Sequence, residues 1–260
     1  MWARRLLRGR FFTKKEHSVP IPNPLQFYSE PLAGVDTAEL QGKLIVIEGP
    51  DTVGRSTQIT RLRAWLEQQG HAVLDTGMAR SALASGGIAK AKEGNTLGPV
   101  TMTLFYTVDF ADRLENEIIP ALRAGFVVLT DRYIFSLMAR GLARSEDGSW
   151  LEKVAGFALV PHAVYYLRAD VPTLVSRVVM GRGEFDFWES GMDMRFGPDM
   201  YESYVRYQAR VIRALDRMAG KYAFTTIDAS KPADMIFREL QRHINGLFHV
   251  PKKRVRAKRD

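Results

Sequence analysis

The sequence predicts an α/β fold in which a five-stranded parallel sheet carries helices on both faces. Three observations lead there. Between its ends the chain alternates short apolar runs with amphipathic stretches, the pattern left by successive strand–helix–strand units. The buried apolar runs number five, enough for a doubly wound sheet. A chain of 260 residues with 46% hydrophobic content can also bury one substantial core, so a single enzyme-sized unit is expected.

The first strand is expected at 44–47, the run Leu44-Ile45-Val46-Ile47, and a helix follows over 56–69. A second strand at 72–74 precedes a long helix over 101–124. The third strand, 126–129, leads into a helix over 134–142, and the fourth, 163–167, into a helix over 171–180. A helix over 200–218, a last strand at 224–227 and a helix over 233–247 complete the unit, several with apolar residues at three- and four-residue spacing. Residues 181–198 stand apart because they mix Gly181, Gly183, Gly191 and Gly197 with Arg182, Arg195 and several acids. That composition predicts a mobile loop between two helices, placed to serve as a lid; an ordinary surface excursion is the alternative.

The formal charge of +8 belongs to the ends. Residues 1–17 and 251–260 each carry +5, which leaves −2 for everything between them. Nucleic-acid contact is therefore a property of the tails if it is one at all. The chain divides into a basic, Pro-containing extension (1–40), a folded unit (41–249) and a basic tail (250–260). The Arg-rich start, with Trp2, Leu6, Leu7, Phe11 and Phe12 between its charges, reads as a mitochondrial-type presequence, a membrane-surface helix or a solubilising extension. Pro20, Pro22, Pro24 and Pro31 read as an extended linker. With no cysteine, disulfide frameworks, thiolate metal sites and Cys nucleophiles are excluded, and a reducing cytoplasmic location fits, with a mitochondrial one as the alternative. No apolar run approaches the ~18 to 20 residues that span a bilayer, so a soluble protein is expected.

The strongest local signal is the run Gly49-Pro50-Asp51-Thr52-Val53-Gly54-Arg55-Ser56-Thr57, which follows the first strand and opens a helix. Its glycines allow a tight turn whose N–H groups point at phosphate oxygens, and the helix N-terminus adds its positive end. The run reads as a P-loop, in which Ser56 would place a hydroxyl on Mg²⁺ and the basic residue would reach the β and γ phosphates; a Gly-containing strand-to-helix turn with no ligand is the alternative. The departure is Arg55, where the pattern asks for Lys. Arginine keeps the charge and can hold phosphate bidentately, but its planar fork is larger than an ammonium.

Together with Glu48-Gly49-Pro50-Asp51 and Ser56-Thr57-Gln58, the run Asp131-Arg132-Tyr133-Ile134-Phe135-Ser136 resembles the two signatures of the thymidylate kinase family, and the likeness extends from about Lys43 to Leu247. The resemblance implies a P-loop NTPase fold with a lid, ATP and Mg²⁺, and phosphoryl transfer to a nucleoside monophosphate, dTMP above others. It implies that Asp51 meets the sugar 3′-hydroxyl, that Arg132 bridges the acceptor phosphate and the γ-phosphoryl, and that Asp131 supports Mg²⁺ through water. Ser136 belongs to the same signature and is counted with the acceptor site. Arg80 resembles the arginine that holds the acceptor phosphate, Arg113 the helix arginine facing the base, and Asp228-Ala229-Ser230 the loop lining adenine. A homodimer through the helices 101–124 and 134–142 is also implied.

Three departures bear on the acceptor. Asp109 stands where the family has a stacking aromatic, so Phe105, Tyr106 or Phe110 would have to replace it. Arg140 stands where an aromatic usually faces the nucleotide. Thr52 occupies the place at which some members carry a P-loop arginine, so the lid must supply one, with Arg182 and Arg195 as candidates. A kinase for another nucleotide or deoxynucleoside, and a nucleotide-binding protein with weak or no turnover, stay open beside the dTMP kinase.

Overall fold

The computed structural model describes residues 25–94 and 97–248, and the readings placed on 1–24 and 249–260 lie outside them. Five strands, β1 (Lys43–Glu48), β2 (Val73–Gly77), β3 (Val127–Asp131), β4 (Ala163–Arg168) and β5 (Thr225–Asp228), form one parallel sheet in the order β2-β3-β1-β4-β5. Each strand overlaps its expected apolar run, β2 by Val73 and Leu74 alone because it runs on through Asp75 and Thr76 to Gly77. The helices are α1 (Arg55–Gln68), α2 (Ser85–Glu93), α3 (Pro99–Arg113), α4 (Ile119–Arg123), α5 (Ile134–Ala143), α6 (Gly148–Val154), α7 (Val171–Gly181), α8 (Met200–Lys221) and α9 (Ala233–Phe248).

Period-two alternation along the strands divides the core into two layers. Leu44 and Val46 of β1 join Val128, Val164 and Tyr166 against α3, α5 and α8. Ile45 and Ile47 join Leu129, Tyr165 and Leu167 against α1, α7 and α9. Each such side chain, fully buried, contributes about 1.5 to 3 kcal/mol of transfer free energy. Asp side chains start three helices: Asp147 accepts from Trp150 N (2.8 Å), Asp170 from Thr173 N (3.0 Å) and Asp199 from Glu202 N (2.8 Å).

Two elements escaped the sequence reading. α2 contains Gly86 and Gly87, each costing about 1 kcal/mol of helix propensity, and buries only Ile88. α6 is a short helix that buries only Leu151. The helix expected over 101–124 is interrupted by a π-helical turn at Leu114–Ile118, just before Pro120. Proline has no N–H for the preceding turn and its ring crowds the carbonyl four residues back, which the wider turn accommodates. Residues 25–40, grouped with the extension on sequence grounds, pack on the domain: Leu25 and Leu40 are buried, and Tyr28 N donates to Ala158 O at 2.9 Å. Residues 182–199, between α7 and α8, contain neither helix nor strand.

Candidate active site

The carboxyl ends of β1 and β3 lie side by side, Ile47 opposite Asp131, so the turns that follow both strands meet at one edge of the sheet. In the first turn Gly49 has φ +154°, and a Cβ there would stand 2.7 Å from the Leu167 carbonyl oxygen, so only glycine fits. Thr52 adopts the left-handed conformation (φ 62°), with its hydroxyl donating to Asp51 O at 2.6 Å. α1 begins at Arg55 without a side-chain cap, which leaves the N–H groups of its first turn for an anion.

Arg55 folds back into this cradle. Its Nε donates to Asp131 Oδ1 at 2.7 Å, and its Nη1 donates to the carbonyl oxygens of Gly49 (2.7 Å) and Pro50. Burial alone would raise the Asp131 carboxyl, but Arg55 and Arg132 outweigh it and hold the group below its ordinary value. Ser56 Oγ lies 3.4 Å from Asp131 Oδ2. One hydroxyl beside one carboxylate suits a Mg²⁺ ion that keeps waters and takes its remaining oxygens from phosphate. Among the described residues there is no cluster of three or more His, Cys, Asp or Glu that would hold an ion by itself.

Beside the cradle sits a second centre. Asp51, 4% exposed, accepts from Arg132 and from Arg140 Nη2 (3.0 and 3.3 Å), with Gln208 Nε2 at 3.4 Å. Burial again pushes the carboxyl up, and the guanidiniums of Arg132, Arg140 and Arg55 override it and hold it far below the carboxylate range. Arg132 itself is pushed down, by burial first and then by Arg140 and Arg55, and its Nε is buried without a hydrogen-bond partner. The residue has φ 68°, fixed by its N–H to Ile47 O (3.0 Å) and by Thr130 Oγ1 donating to its carbonyl (2.7 Å). Arg132 and Arg140 open into a cavity of about 150 Å³, whose other walls include Met78, Lys92, Tyr106, Trp188 and Tyr207. Tyr106 is raised by burial but lowered on balance by Arg140 and Lys92. Two arginines on one buried carboxylate leave a surplus positive charge facing this cavity, which suits a phosphate dianion.

A model of the thymidylate kinase family matches residues 47–240. The probable thymidylate kinase 2 of Saccharolobus solfataricus is 32% identical over 194 residues, 74% of this chain and 91% of that protein. The thymidylate kinase of Clavibacter michiganensis subsp. michiganensis is 31% identical over 218 residues, 80% of this chain and 97% of its own. The chain belongs to the thymidylate kinase family. The cradle and the Asp131-Arg132 turn both fall within the matched region.

Against that family pattern the remaining residues divide. Asp109 is fully buried, and its carboxylate accepts from the N–H groups of Ala79 (3.0 Å) and Ser81 (2.9 Å) and from Arg113 Nη2 (3.0 Å). Arg113 is 1% exposed and outside the cavity lining, so this pair shapes the turn after β2. Phe110 packs edge-on to Tyr133 and beside Phe157, and a Cβ added to Gly87 of α2 would lie 3.5 Å from the Phe105 ring; of the three replacement aromatics only Tyr106 lines the cavity. Arg80 pairs with Asp75 at 2.8 Å on the rim. Ser136 Oγ donates to Glu48 Oε2 at 2.6 Å, and Tyr133 N (2.8 Å) and Ser136 N (3.2 Å) donate to Oε1. Glu48, fully buried and pushed up by burial, thus caps α5 and ties the end of β1 to the Asp131-Arg132 turn.

On the donor side, Arg177 of α7 donates to Val53 O (2.7 Å) and Ala229 O (2.6 Å), joining the cradle to the 228–230 loop. A 210 Å³ cavity beside that junction is lined by Val53, Gly54, Thr57, Gln58, Arg177 and Lys231, among others. Asp228 accepts from Ser230 N (3.0 Å) and Oγ (2.6 Å), which folds the loop back on itself, and none of residues 228–230 lines this cavity. Of the two arginines the sequence offers for a lid, Arg182 pairs with Glu189 (2.5 Å), itself a cavity residue, and feels the charge of Asp51; Arg195 is exposed in a left-handed conformation. The second half of the loop is clamped. Arg144 holds Asp193 (2.8 and 3.1 Å), Trp188 O (3.2 Å) and Tyr207 OH, while Gln208 donates to Glu189 O at 2.8 Å. Glu48 stood in the sequence only as a member of the first signature, with no role of its own; Arg144, Arg177, Trp188 and Gln208 had no signal in a single sequence, because nothing local to them shows what they meet.

Proposed function

We propose that the chain transfers the γ-phosphoryl group of ATP to dTMP, giving dTDP and ADP. The observation that carries this reading is the arrangement of Arg132 and Arg140 on one buried carboxylate between a phosphate cradle and a cavity. A dTMP phosphate oxygen attacks the γ-phosphorus as the bond to the β–γ bridging oxygen breaks, and ADP leaves with that oxygen. Such a reaction needs positioning and charge dispersal more than a covalent group. Arg132, with its unpartnered Nε, holds the acceptor phosphate; Arg55 and the N-terminus of α1 hold the donor phosphates. Arg182 is the lid arginine this reading favours, through its tie to Glu189 beside the acceptor. Mg²⁺ bound to the triphosphate would be held by Ser56 and, through water, Asp131, and supplies charge neutralisation. The adenine is assigned to the 210 Å³ cavity lined by Gly54, Thr57, Arg177 and Lys231, next to the Asp228-Ala229-Ser230 loop that Arg177 ties to the cradle.

The reading also takes in a homodimer. Val100, Leu104 and Val108 are four residues apart on α3 and exposed, an apolar stripe that a second copy would cover. No described helix is long and apolar enough to cross a membrane.

The testing experiment is a coupled ADP-release assay on the full-length chain with ATP, Mg²⁺ and a panel of nucleoside monophosphates. Turnover that depends on dTMP is expected, and a preference for dGMP or dCMP overturns the acceptor. A second reading, a nucleotide-binding protein with little turnover, draws on Arg55, whose guanidinium neutralises Asp131 and fills hydrogen-bond acceptors of the cradle itself. Measurable ATP binding without turnover on any acceptor would favour it.

A further inference from the structure

We propose that the loop after α7 supplies the platform for the acceptor base, through the indole of Trp188, which walls the cavity together with Tyr106. The proposal rests on the reading of that cavity as the acceptor site. The position where the family pattern places an aromatic is Asp109, and its carboxylate is consumed by two backbone N–H groups and Arg113, with no surface in the cavity. Phe105 and Phe110 are turned to other neighbours. A nucleotide base still needs a flat apolar surface, since stacking is the sequence-tolerant part of base binding. Trp188 lines the cavity with Tyr106 and is 7% exposed.

The indole is also held in place before any ligand arrives. Its Nε1 donates to Lys92 O at 3.2 Å, its backbone N–H donates to Asp186 Oδ1 at 2.9 Å, and its carbonyl accepts from Arg144 at 3.2 Å. Three independent ties on one side chain and its backbone make a preorganised wall of what the sequence presents as a mobile loop. The same loop carries Arg182, paired with Glu189 next to Trp188. Base binding and presentation of the lid arginine are thereby joined in one short segment.

The test is titration of the full-length chain with dTMP while following indole emission, combined with acceptor kinetics of Trp188→Phe and Trp188→Ala. Emission is expected to change on dTMP binding in the parent chain and to stay flat in Trp188→Phe. The KM for dTMP should rise about tenfold in Trp188→Ala and less in Trp188→Phe, which keeps a ring, with the KM for ATP within about twofold in both. An unchanged dTMP KM in Trp188→Ala, or an emission change that survives Trp188→Phe, overturns the proposal. If the panel reveals a different acceptor, the thymidylate reading falls alone, and the same variants measured with that acceptor decide the role of Trp188. If no monophosphate alters emission in a chain that binds ATP, the proposal fails.

Discussion

Two buried aspartates hold arginines in this molecule, and they do opposite things with them. Asp109, 0% exposed, faces one guanidinium and two backbone N–H groups, so its charge is balanced and its acceptor sites are filled. Asp51, 4% exposed, faces two guanidiniums. Each centre keeps one buried guanidinium nitrogen without a hydrogen-bond partner, Arg113 Nη1 in the first and Arg132 Nε in the second, so the count of charges and not of hydrogen bonds separates them. The first centre is charge-balanced and lies outside the cavity lining, so it fixes the chain around it. The second carries a surplus positive charge beside a cavity, at a cost in desolvation that only a bound anion would offset. Burial and pairing are similar in both; the stoichiometry of charge separates a structural ion pair from a binding site.

The largest expected effect breaks the open centre. Arg132→Ala should lower kcat by about a thousandfold, within the range found for arginines that disperse transferring charge, while Arg140 stays on Asp51 and the fold survives. Steady-state kinetics with saturating ATP decide it, and a loss below about tenfold would remove Arg132 from the chemistry. Asp109→Ala breaks the closed centre and should act on stability instead. It leaves Arg113 buried without its partner, a defect of about 3 to 5 kcal/mol. Denaturant unfolding reads the loss. If the variant instead unfolds near the parent midpoint and loses turnover, Asp109 belongs to the active site and the contrast collapses.

The open centre was half legible in the sequence, and the reason is geometric. The cradle is one contiguous run, so its spacing made Gly49 and Arg55 legible; Asp131, 76 residues from Arg55, was legible through the family resemblance of its own run, and the pairing of β1 with β3 brings it to Arg55. The five strands were legible for the same reason, each being a local apolar run. The cavity beside Asp51 is built differently: Lys92 comes from α2, Tyr106 from α3, Arg140 from α5, Trp188 from the loop after α7 and Tyr207 from α8. No periodicity relates such residues. Arg113 and Asp109 show the converse failure, since an arginine at a family position looks functional until its i−4 neighbour is seen to neutralise it. Composition presents residues 181–198 as a mobile loop, and what it cannot show is the partner: Arg144, at the C-terminal end of α5, reaches Asp193 within that loop.

A smaller effect sharpens the contrast at the cradle. The Arg55 fork spans Asp131 and two loop carbonyls, which a lysine ammonium cannot reproduce in the same plane. Arg55→Lys should nevertheless keep one positive charge on the donor phosphates, so kcat is expected within about tenfold of the parent. A gain of several orders of magnitude would mean that the native arginine suppresses turnover, and the nucleotide-binding reading would then replace the kinase.

The smallest effect concerns Glu48, which joins β1 to the Asp131-Arg132 turn without touching the cavity. Burial raises its pKa above the ordinary 4.5, and the Ser136 hydroxyl opposes that rise by stabilising the ionised form. For a carboxyl raised on folding, the favourable contribution is present below the unfolded value and is lost as pH climbs through the folded one. Ser136→Ala removes a donor to the ionised form, so its deficit, about 1 to 2 kcal/mol, should be larger near pH ~8 than near pH ~5. Denaturant midpoints at the two pH values measure this directly. A deficit independent of pH would show that Ser136 acts through packing alone, and a kcat loss beyond that of the folded fraction would move Ser136 from the support of the site into it.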